Sequence, residues 1–430
     1  MKSAFKSLVV SILITEASWL LKRHKPTIVA ITGSVGKTTT KDAIYAAIKN
    51  SISARKSEKS FNSEIGVPLT VLGLKNGWNN PFLWLKNIVD GFFIALFSKD
   101  YPAVLVLEAG IDRPGDMERL TKWLTPDVTV LTALPAVPVH VEYFATPREV
   151  AEEKMRLATA LKPDGTFIYN NDDTIIQNEV KGVLQRSLGF GRYIPTDYTG
   201  GHEEVVYRDD RPVGYKFTVT HAGDEAPVRI MGTIGLPQVY SAAAAIAVAD
   251  TLGISLGAAV NGLMELRTPN GRMRLIEGIK STTILDDTYN ASPAAVEQAL
   301  ETLASMKYAK RKIAVIGDML ELGRFSSEEH EKIGAVAAKC TDILVTIGVR
   351  ARKIAEGALA GGMDEANILQ YEDSITAGRE LQNFLAAGDV LLVKASQGIR
   401  AERVVEELMA HPDDAYDLLV RQDEEWLKRK

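Results

Sequence analysis

The segment Thr32-Gly33-Ser34-Val35-Gly36-Lys37-Thr38-Thr39 constrains this chain more than any other. It follows a β-branched apolar run at 27–31 and opens a helical pattern that continues through residue 48. A glycine-rich turn between strand and helix lets backbone N–H groups point at phosphate oxygens, and the helix N-terminus adds a favourable dipole. Lys37 is spaced to reach β- and γ-phosphates, and the Thr38 hydroxyl to hold Mg²⁺. Ile31 stands where the longer Walker pattern has its first glycine, so this is the shorter Gly-x-x-Gly-Lys-Thr form.

The surrounding pattern agrees with such a loop. Apolar runs at 103–107, 128–131 and 166–169, separated by helical stretches such as 147–161, predict a mainly parallel sheet covered by helices. From about 191 to 234 shorter alternating pieces between Gly and Asp turns predict an antiparallel appendage, and 241–252 returns to helix. The Thr268-Pro269-Asn270-Gly271 cluster breaks the pattern, and a second series of strands follows at 283–285, 313–316, 343–347 and 390–393. The expected fold class is therefore α/β. An N-terminal amphipathic helix (1–25) precedes a central P-loop domain (26–268) and a C-terminal Rossmann-like domain (269–430).

The 430 residues suffice for such cores, and 50 Lys and Arg against 55 Asp and Glu leave no basic field for nucleic acid. The single Cys340 excludes a disulfide framework and a Cys-rich zinc site, and suits a reducing, cytoplasmic compartment. Lys2 and Lys6 precede an apolar run at 8–14, but charges follow quickly and the run falls short of the ~18 residues a spanning helix needs. A first helix that packs on the protein is favoured over one that lies on a membrane. The stretch 78–97, with two Trp and four Phe, reads as a buried helix or as a surface for a membrane or a partner. The charged end, 423–430, reads as the solvated face of a terminal helix.

Four further stretches resemble the Mur ligases in their order along the chain. They are Phe61-Asn62-Ser63-Glu64-Ile65-Gly66-Val67-Pro68, Leu107-Glu108-Ala109-Gly110, Asp286-Asp287-Thr288-Tyr289-Asn290-Ala291-Ser292-Pro293 and Ile316-Gly317-Asp318-Met319-Leu320-Glu321-Leu322-Gly323. The resemblance is strongest to the members that add D-alanyl-D-alanine to UDP-N-acetylmuramoyl-tripeptide in peptidoglycan precursor synthesis. It implies a ligase that converts a carboxylate to an acyl phosphate with ATP and passes it to an amine. Gly33, Ser34, Val35, Gly36, Lys37, Thr38, Thr39 and Asn62 would then hold ATP, joined from the second half by Arg272, Asp287, Tyr289 and Asn290.

The resemblance further implies two Mg²⁺ ions, one on Thr38 and Glu108 and one on His140 and a carbamylated Lys154. Lys37, His140 and Lys154 would serve catalysis, and Lys394 and Ser396 would face the incoming dipeptide. The implied partners are small molecules, a nucleotide-sugar peptide and a dipeptide, with membrane contact through 1–22 and 78–97 as an addition and a monomer as the expected state. Three departures bear on substrate choice. About 25 residues precede the nucleotide strand, so the family's UDP-binding domain is expected to be absent; Gly235–Ser241 replaces the family's Gly-x-His-Asn-x-x-Asn; and Ser63 replaces an Asn. A Mur-like ligase with another acceptor, or a nucleotide-binding scaffold that no longer ligates, are the competing readings.

Overall fold

The computed structural model describes residues 3–58, 62–78 and 80–428; Lys2, Phe61, Asn79 and the last two residues of the charged end lie outside the described residues. The first half runs α1 (Ser3–His24), β1 (Thr27–Thr32), α2 (Lys37–Ile48), β2 (Ala54–Lys56), α3 (Gly66–Leu72), α4 (Pro81–Phe97), β3 (Val104–Glu108), α5 (Asp116–Thr121), β4 (Val128–Leu131), α6 (Pro147–Thr159), β5 (Thr166–Asn170), α7 (Thr174–Glu179) and β6 (Arg186–Gly191). Then come β7 (Tyr198–Arg208), β8 (Arg211–His221), β9 (Asp224–Met231), α8 (Leu236–Thr251) and α9 (Leu256–Met264). These strands form one sheet in the order β2-β3-β1-β4-β5-β6-β7-β8-β9. It is parallel from β2 to β7, and β7, β8 and β9 close it as an antiparallel meander.

Helices bury both faces of this sheet, which is why its central strands are continuous apolar runs: Val29, Ala30 and Ile31 of β1 have no exposed surface. On one face α8 lies against α2. Its Ala242–Ala245 run is wholly buried, and small side chains allow close helix approach. Gly262 of α9 serves the same end, since a Cβ there would stand 2.2 Å from the Ala46 carbonyl oxygen of α2.

On the other face α1 packs through Val9, Leu13, Ala17 and Leu20, spaced one helical turn apart and at most 1% exposed, as expected for a helix docked on the protein. The buried-helix reading of 78–97 is corrected. Helix α4 turns only Trp84, Asn87, Gly91 and Ala95 inward, while Phe82 is 81% exposed and Phe97 64%. The inward stripe is narrow because α1 sits on it closely: a Cβ on Gly91 would lie 2.2 Å from Glu16 Oε2.

The second half runs β10 (Arg274–Gly278), β11 (Thr282–Asp286), α10 (Pro293–Ala304), β12 (Lys312–Gly317), α11 (Ser326–Cys340), β13 (Ile343–Ile347), α12 (Arg352–Ala360), β14 (Ile368–Tyr371), α13 (Ser374–Phe384), β15 (Val390–Lys394) and α14 (Glu402–Leu408). Its sheet has the order β10-β11-β15-β12-β13-β14, parallel except for β10. After α14 only short helical turns remain, the last at Glu424–Leu427. The two halves touch where Thr233 bridges to Arg274 and where His140 meets Glu321.

Candidate active site

The loop after β1 owes its shape to two glycines with positive φ, Gly33 at 142° and Gly36 at 84°. At Gly33 a Cβ would stand 2.1 Å from Thr132 Oγ1, so the site admits no side chain. Thr132, just past β4, clamps the loop from outside by donating to the Val35 carbonyl at 2.6 Å, and the Ser34 N–H donates to the Ala133 carbonyl at 2.7 Å. Gly36 caps α2 in the left-handed region, and Lys37, Thr38 and Thr39 form its first turn.

Lys37 Nζ donates to the carbonyl of Gly33 at 2.8 Å, folded back across its own loop. Burial lowers its pKa; Glu108 opposes that shift, and Arg272 from the second half adds to it. Ser34 Oγ and Arg272 Nε are buried polar atoms without partners, as expected of groups that serve a ligand.

Thr38 Oγ1 donates to Glu108 Oε2 at 3.0 Å, and Asn62 Nδ2 to Glu108 Oε1 at 3.2 Å. Glu108, at the carboxyl end of β3, is 2% exposed, and its own N–H is bonded to Ser57 Oγ. A hydroxyl and a carboxylate at this spacing are hard oxygen donors of the kind Mg²⁺ takes, with phosphate oxygens and water completing its shell. Thr38 and Glu108 therefore fit one such ion.

His140 and Lys154 are less simply arranged. His140 adopts a left-handed backbone, with Nδ1 2.8 Å from Glu321 Oε2 and Nε2 3.7 Å from Asp112 Oδ1. The first of these contacts holds the Glu321 carboxyl below its ordinary range. Lys154 on α6 is 1% exposed; burial and then the charge of Lys37 hold its amine well below the usual lysine range. Among the described residues no three His, Cys, Asp or Glu side chains gather as a metal site, so the amino acids as they stand do not complete the second Mg²⁺ site.

Across the cleft the guanidinium of Arg272 lies 4.0 Å from the centroid of the Tyr289 ring. Asp287 is committed within the protein: its carboxylate accepts from Lys394 Nζ at 2.6 Å and from the Met273 N–H at 3.2 Å. Lys394 also donates to the Asn290 carbonyl, and Ser396 Oγ accepts from the Leu320 N–H at 2.8 Å. Lys394 and Ser396 are 2% and 3% exposed. The structure thus places these two residues, expected to face the dipeptide, beneath the 287–291 loop as its supports. Asn290 Oδ1 accepts from the Ala291 N–H at 3.0 Å in the same loop. Ser241, where the family has Asn, is tied to Thr40 Oγ1 of α2 at 3.2 Å.

Two residues of the site escaped the sequence reading. Asp112, four residues past Glu108, acts electrostatically on both Lys37 and Lys154. Glu321 lies inside the 316–323 motif, but nothing local in sequence pairs it with His140. A cavity of about 280 Å³ opens beside Asn62 and Gly110; Lys6, Val10 and Ile14 of α1 form one wall, and its charges are balanced, with Lys6 paired to Glu64, Arg119 to Asp116, and Arg113 facing the same space as Asp112.

Comparison with known proteins follows the same two halves. Residues 31–83 and 90–249 match the Mur ligase middle domain, and 271–397 match the Mur ligase glutamate ligase domain. The UDP-N-acetylmuramoyl-tripeptide–D-alanyl-D-alanine ligase of Bacillus subtilis (strain 168) is 29% identical over 388 residues, covering 90% of this chain and 76% of that protein. The enzyme of the same name from Mycobacterium tuberculosis (strain CDC 1551) is 30% identical over 405 residues, covering 89% of this chain and 73% of its own length. Among solved structures, the MurF ligase of Thermotoga maritima in complex with ADP superposes with a TM-score of 0.75 at 28% identity, over 93% of this chain and 83% of that one.

Proposed function

The chain belongs to the Mur ligase family, and from that premise we propose that it is an ATP-dependent peptide ligase that joins D-alanyl-D-alanine to UDP-N-acetylmuramoyl-tripeptide. The observation that carries the reading is the charge arrangement at the loop. A half-buried Lys37, folded back onto the Gly33 carbonyl of its own loop, meets the field of Arg272 from the other half of the molecule. Phosphoryl transfer asks for positioning and positive charge on the transferred group rather than covalent help. Lys37 would leave the Gly33 carbonyl for the β- and γ-phosphates, while Arg272 neutralises charge from the opposite side. A carboxylate of the nucleotide-sugar peptide takes the γ-phosphoryl group to give an acyl phosphate and ADP. The dipeptide amine then displaces phosphate to form the amide.

Thr38 and Glu108 would hold one Mg²⁺, which supplies charge neutralisation at the phosphates. For the second, the reading rests on Lys154. Its amine is buried beside another cation and so is biased to the neutral form that adds CO₂. The resulting carbamate would offer oxygen donors where the lysine had none, in the field of Asp112, which itself lies 3.7 Å from His140 Nε2. The cavity beside Asn62 adjoins the Thr38–Glu108 pair through that residue, and Arg113 on its wall, stacked on the Tyr143 ring, offers a cation to an acidic peptide substrate.

The test is phosphate release from ATP and Mg²⁺ with UDP-N-acetylmuramoyl-tripeptide present and the dipeptide added or withheld, followed by mass spectrometry. Release that needs both substrates, with a pentapeptide product, is expected. Turnover indifferent to either substrate would remove the substrate assignment and send the search to other carboxylate and amine pairs.

A further inference from the structure

Helices α1 and α4 form a two-helix plate on the outside of the first half; the outer surface of α4 is unusually apolar, and α1 adds Leu8 and Trp19 to it among polar neighbours such as Ser11 and Thr15. Of the 24 large hydrophobic residues exposed in the described chain, 11 lie between residues 8 and 97, all on these two helices except Trp78, which directly precedes α4. Phe82, Leu85, Phe92, Phe93 and Phe97 of α4 are each more than 40% exposed, as is Trp19 of α1. At about 100° per residue, the outward apolar positions of α4 cover roughly half its circumference. That arc is broader than the narrow stripe a helix inserts into a protein groove. Continuous exposed apolar surface of this kind marks an interaction site rather than chance.

The charges say what kind of surface fits. The only charged residues of α4, Lys86 and Asp90, pair with each other. At the end where α1 and α4 finish together, Lys22, Arg23, Lys25 and Lys99 gather against one exposed acid, Asp100. Arg23 donates to the Ala95 and Leu96 carbonyls, clasping this basic end to the apolar plate. No helix of the described residues is long and apolar enough to cross a membrane. Exposed aromatic side chains flanking a shallow groove between Trp19 of α1 and Phe92 and Phe93 of α4, lysines at one end and no spanning segment are the features of helices that lie in the headgroup region of a bilayer. The family match begins after α1 and is interrupted at 84–89 within α4.

We propose that the outer face of α1 and α4 is a docking surface for anionic phospholipid membranes, with the aromatic residues of α4 entering the interface and the basic end facing the headgroups.

The experiment is flotation of the full-length protein with vesicles of phosphatidylcholine alone or mixed with phosphatidylglycerol, beside the double variants Phe93→Ser/Phe97→Ser and Lys22→Glu/Lys25→Glu. Both pairs are solvent-exposed, and nucleotide-dependent phosphate release with an unchanged melting temperature shows that each variant is folded. The wild type should float with the anionic vesicles, the serine variant should fall at least tenfold in bound fraction on both compositions, and the charge variant should lose only the anionic component. Wild-type protein that stays with the soluble fraction on both compositions overturns the proposal. So does a serine variant that floats like the wild type. A wild-type dimer in solution that the serine pair dissociates, without vesicle binding, would overturn it too and assign the face to a second copy of the chain instead.

Discussion

Glu16 offers a sharp test of how tightly α1 is seated. Its carboxyl lies between α1 and α4, 3% exposed, with Oε2 lacking a hydrogen-bond partner. Desolvation pushes its pKa from 4.5 up to about 7. The folded state therefore holds the proton more tightly than the unfolded chain. The stability this group contributes is complete below pH 4.5 and falls as pH rises toward 7, beyond which the cost is constant. A tenfold difference in proton affinity is worth about 1.4 kcal/mol, and water at the rim of the α1–α4 layer screens part of the effect, so the loss across that window is about 2–3 kcal/mol. Glu16→Gln keeps the shape and removes the titration. Urea unfolding followed by tryptophan fluorescence is suited to the comparison, because Trp19, Trp84 and Trp123 all border this layer. The two proteins should agree in stability at the acid end of the range and diverge steadily above it, with the variant more stable by about 2–3 kcal/mol at mildly alkaline pH. Parallel pH profiles would show that Glu16 is solvated in solution and that α1 sits more loosely on α4 than its buried carboxyl implies.

Other outcomes follow from the site. Lys37→Ala should abolish substrate-dependent phosphate release while leaving the melting temperature within a few degrees, and retained turnover would sink the phosphoryl-transfer mechanism. Lys154→Ala should lose at least about 100-fold in kcat and regain part of it with added short carboxylic acids, measured as phosphate release; the same loss without rescue would argue against the carbamate. Lys394→Met leaves the buried Asp287 carboxylate unpaired and should cost about 3–5 kcal/mol in urea unfolding. Arg113→Ala should raise KM for the nucleotide-sugar peptide several-fold with kcat nearly unchanged, and an unchanged KM would place that substrate elsewhere.

The parts of the fold that sequence made legible are those buried on both sides. The strands β1, β3, β4, β5, β12, β13 and β15 are predominantly apolar, interrupted inside only by Thr129 and Thr346, because helices cover both their faces, and their positions were evident to within a residue or two. By contrast, Ala54-Arg55-Lys56 pairs as edge strand β2 with no apolar signature at all, since only partial burial is asked of it. The Thr38–Glu108–Asn62 cluster was accessible because each member sits at the end of a strand or in a glycine-punctuated motif. The His140–Glu321 contact was not, because 181 residues separate the partners and only the packing of the two halves brings them together. Lys394 and Ser396 mark a different limit. Motif position brought them to the right loop, but their burial and their bonds to Asp287, Asn290 and Leu320 come from packing that no local pattern announces. For α4, composition alone could not say which side of the helix faces water; the small residues Gly91 and Ala95 decide it by admitting α1.

The stretch that leaves β4 is attached at both ends and once between them, where the Leu134 N–H donates to Asp173 Oδ2 at 2.6 Å. At its start Thr132 and Ala133 are hydrogen-bonded to the backbone of the phosphate loop, and at its end His140 rests on Glu321 of the opposite half. Only residues 135–139 lie between the last anchor in the first half and the contact with the second. The segment that keeps the cradle in shape is thus the same one that reaches the opposite half, so the phosphate loop and the closing of the cleft share one piece of backbone.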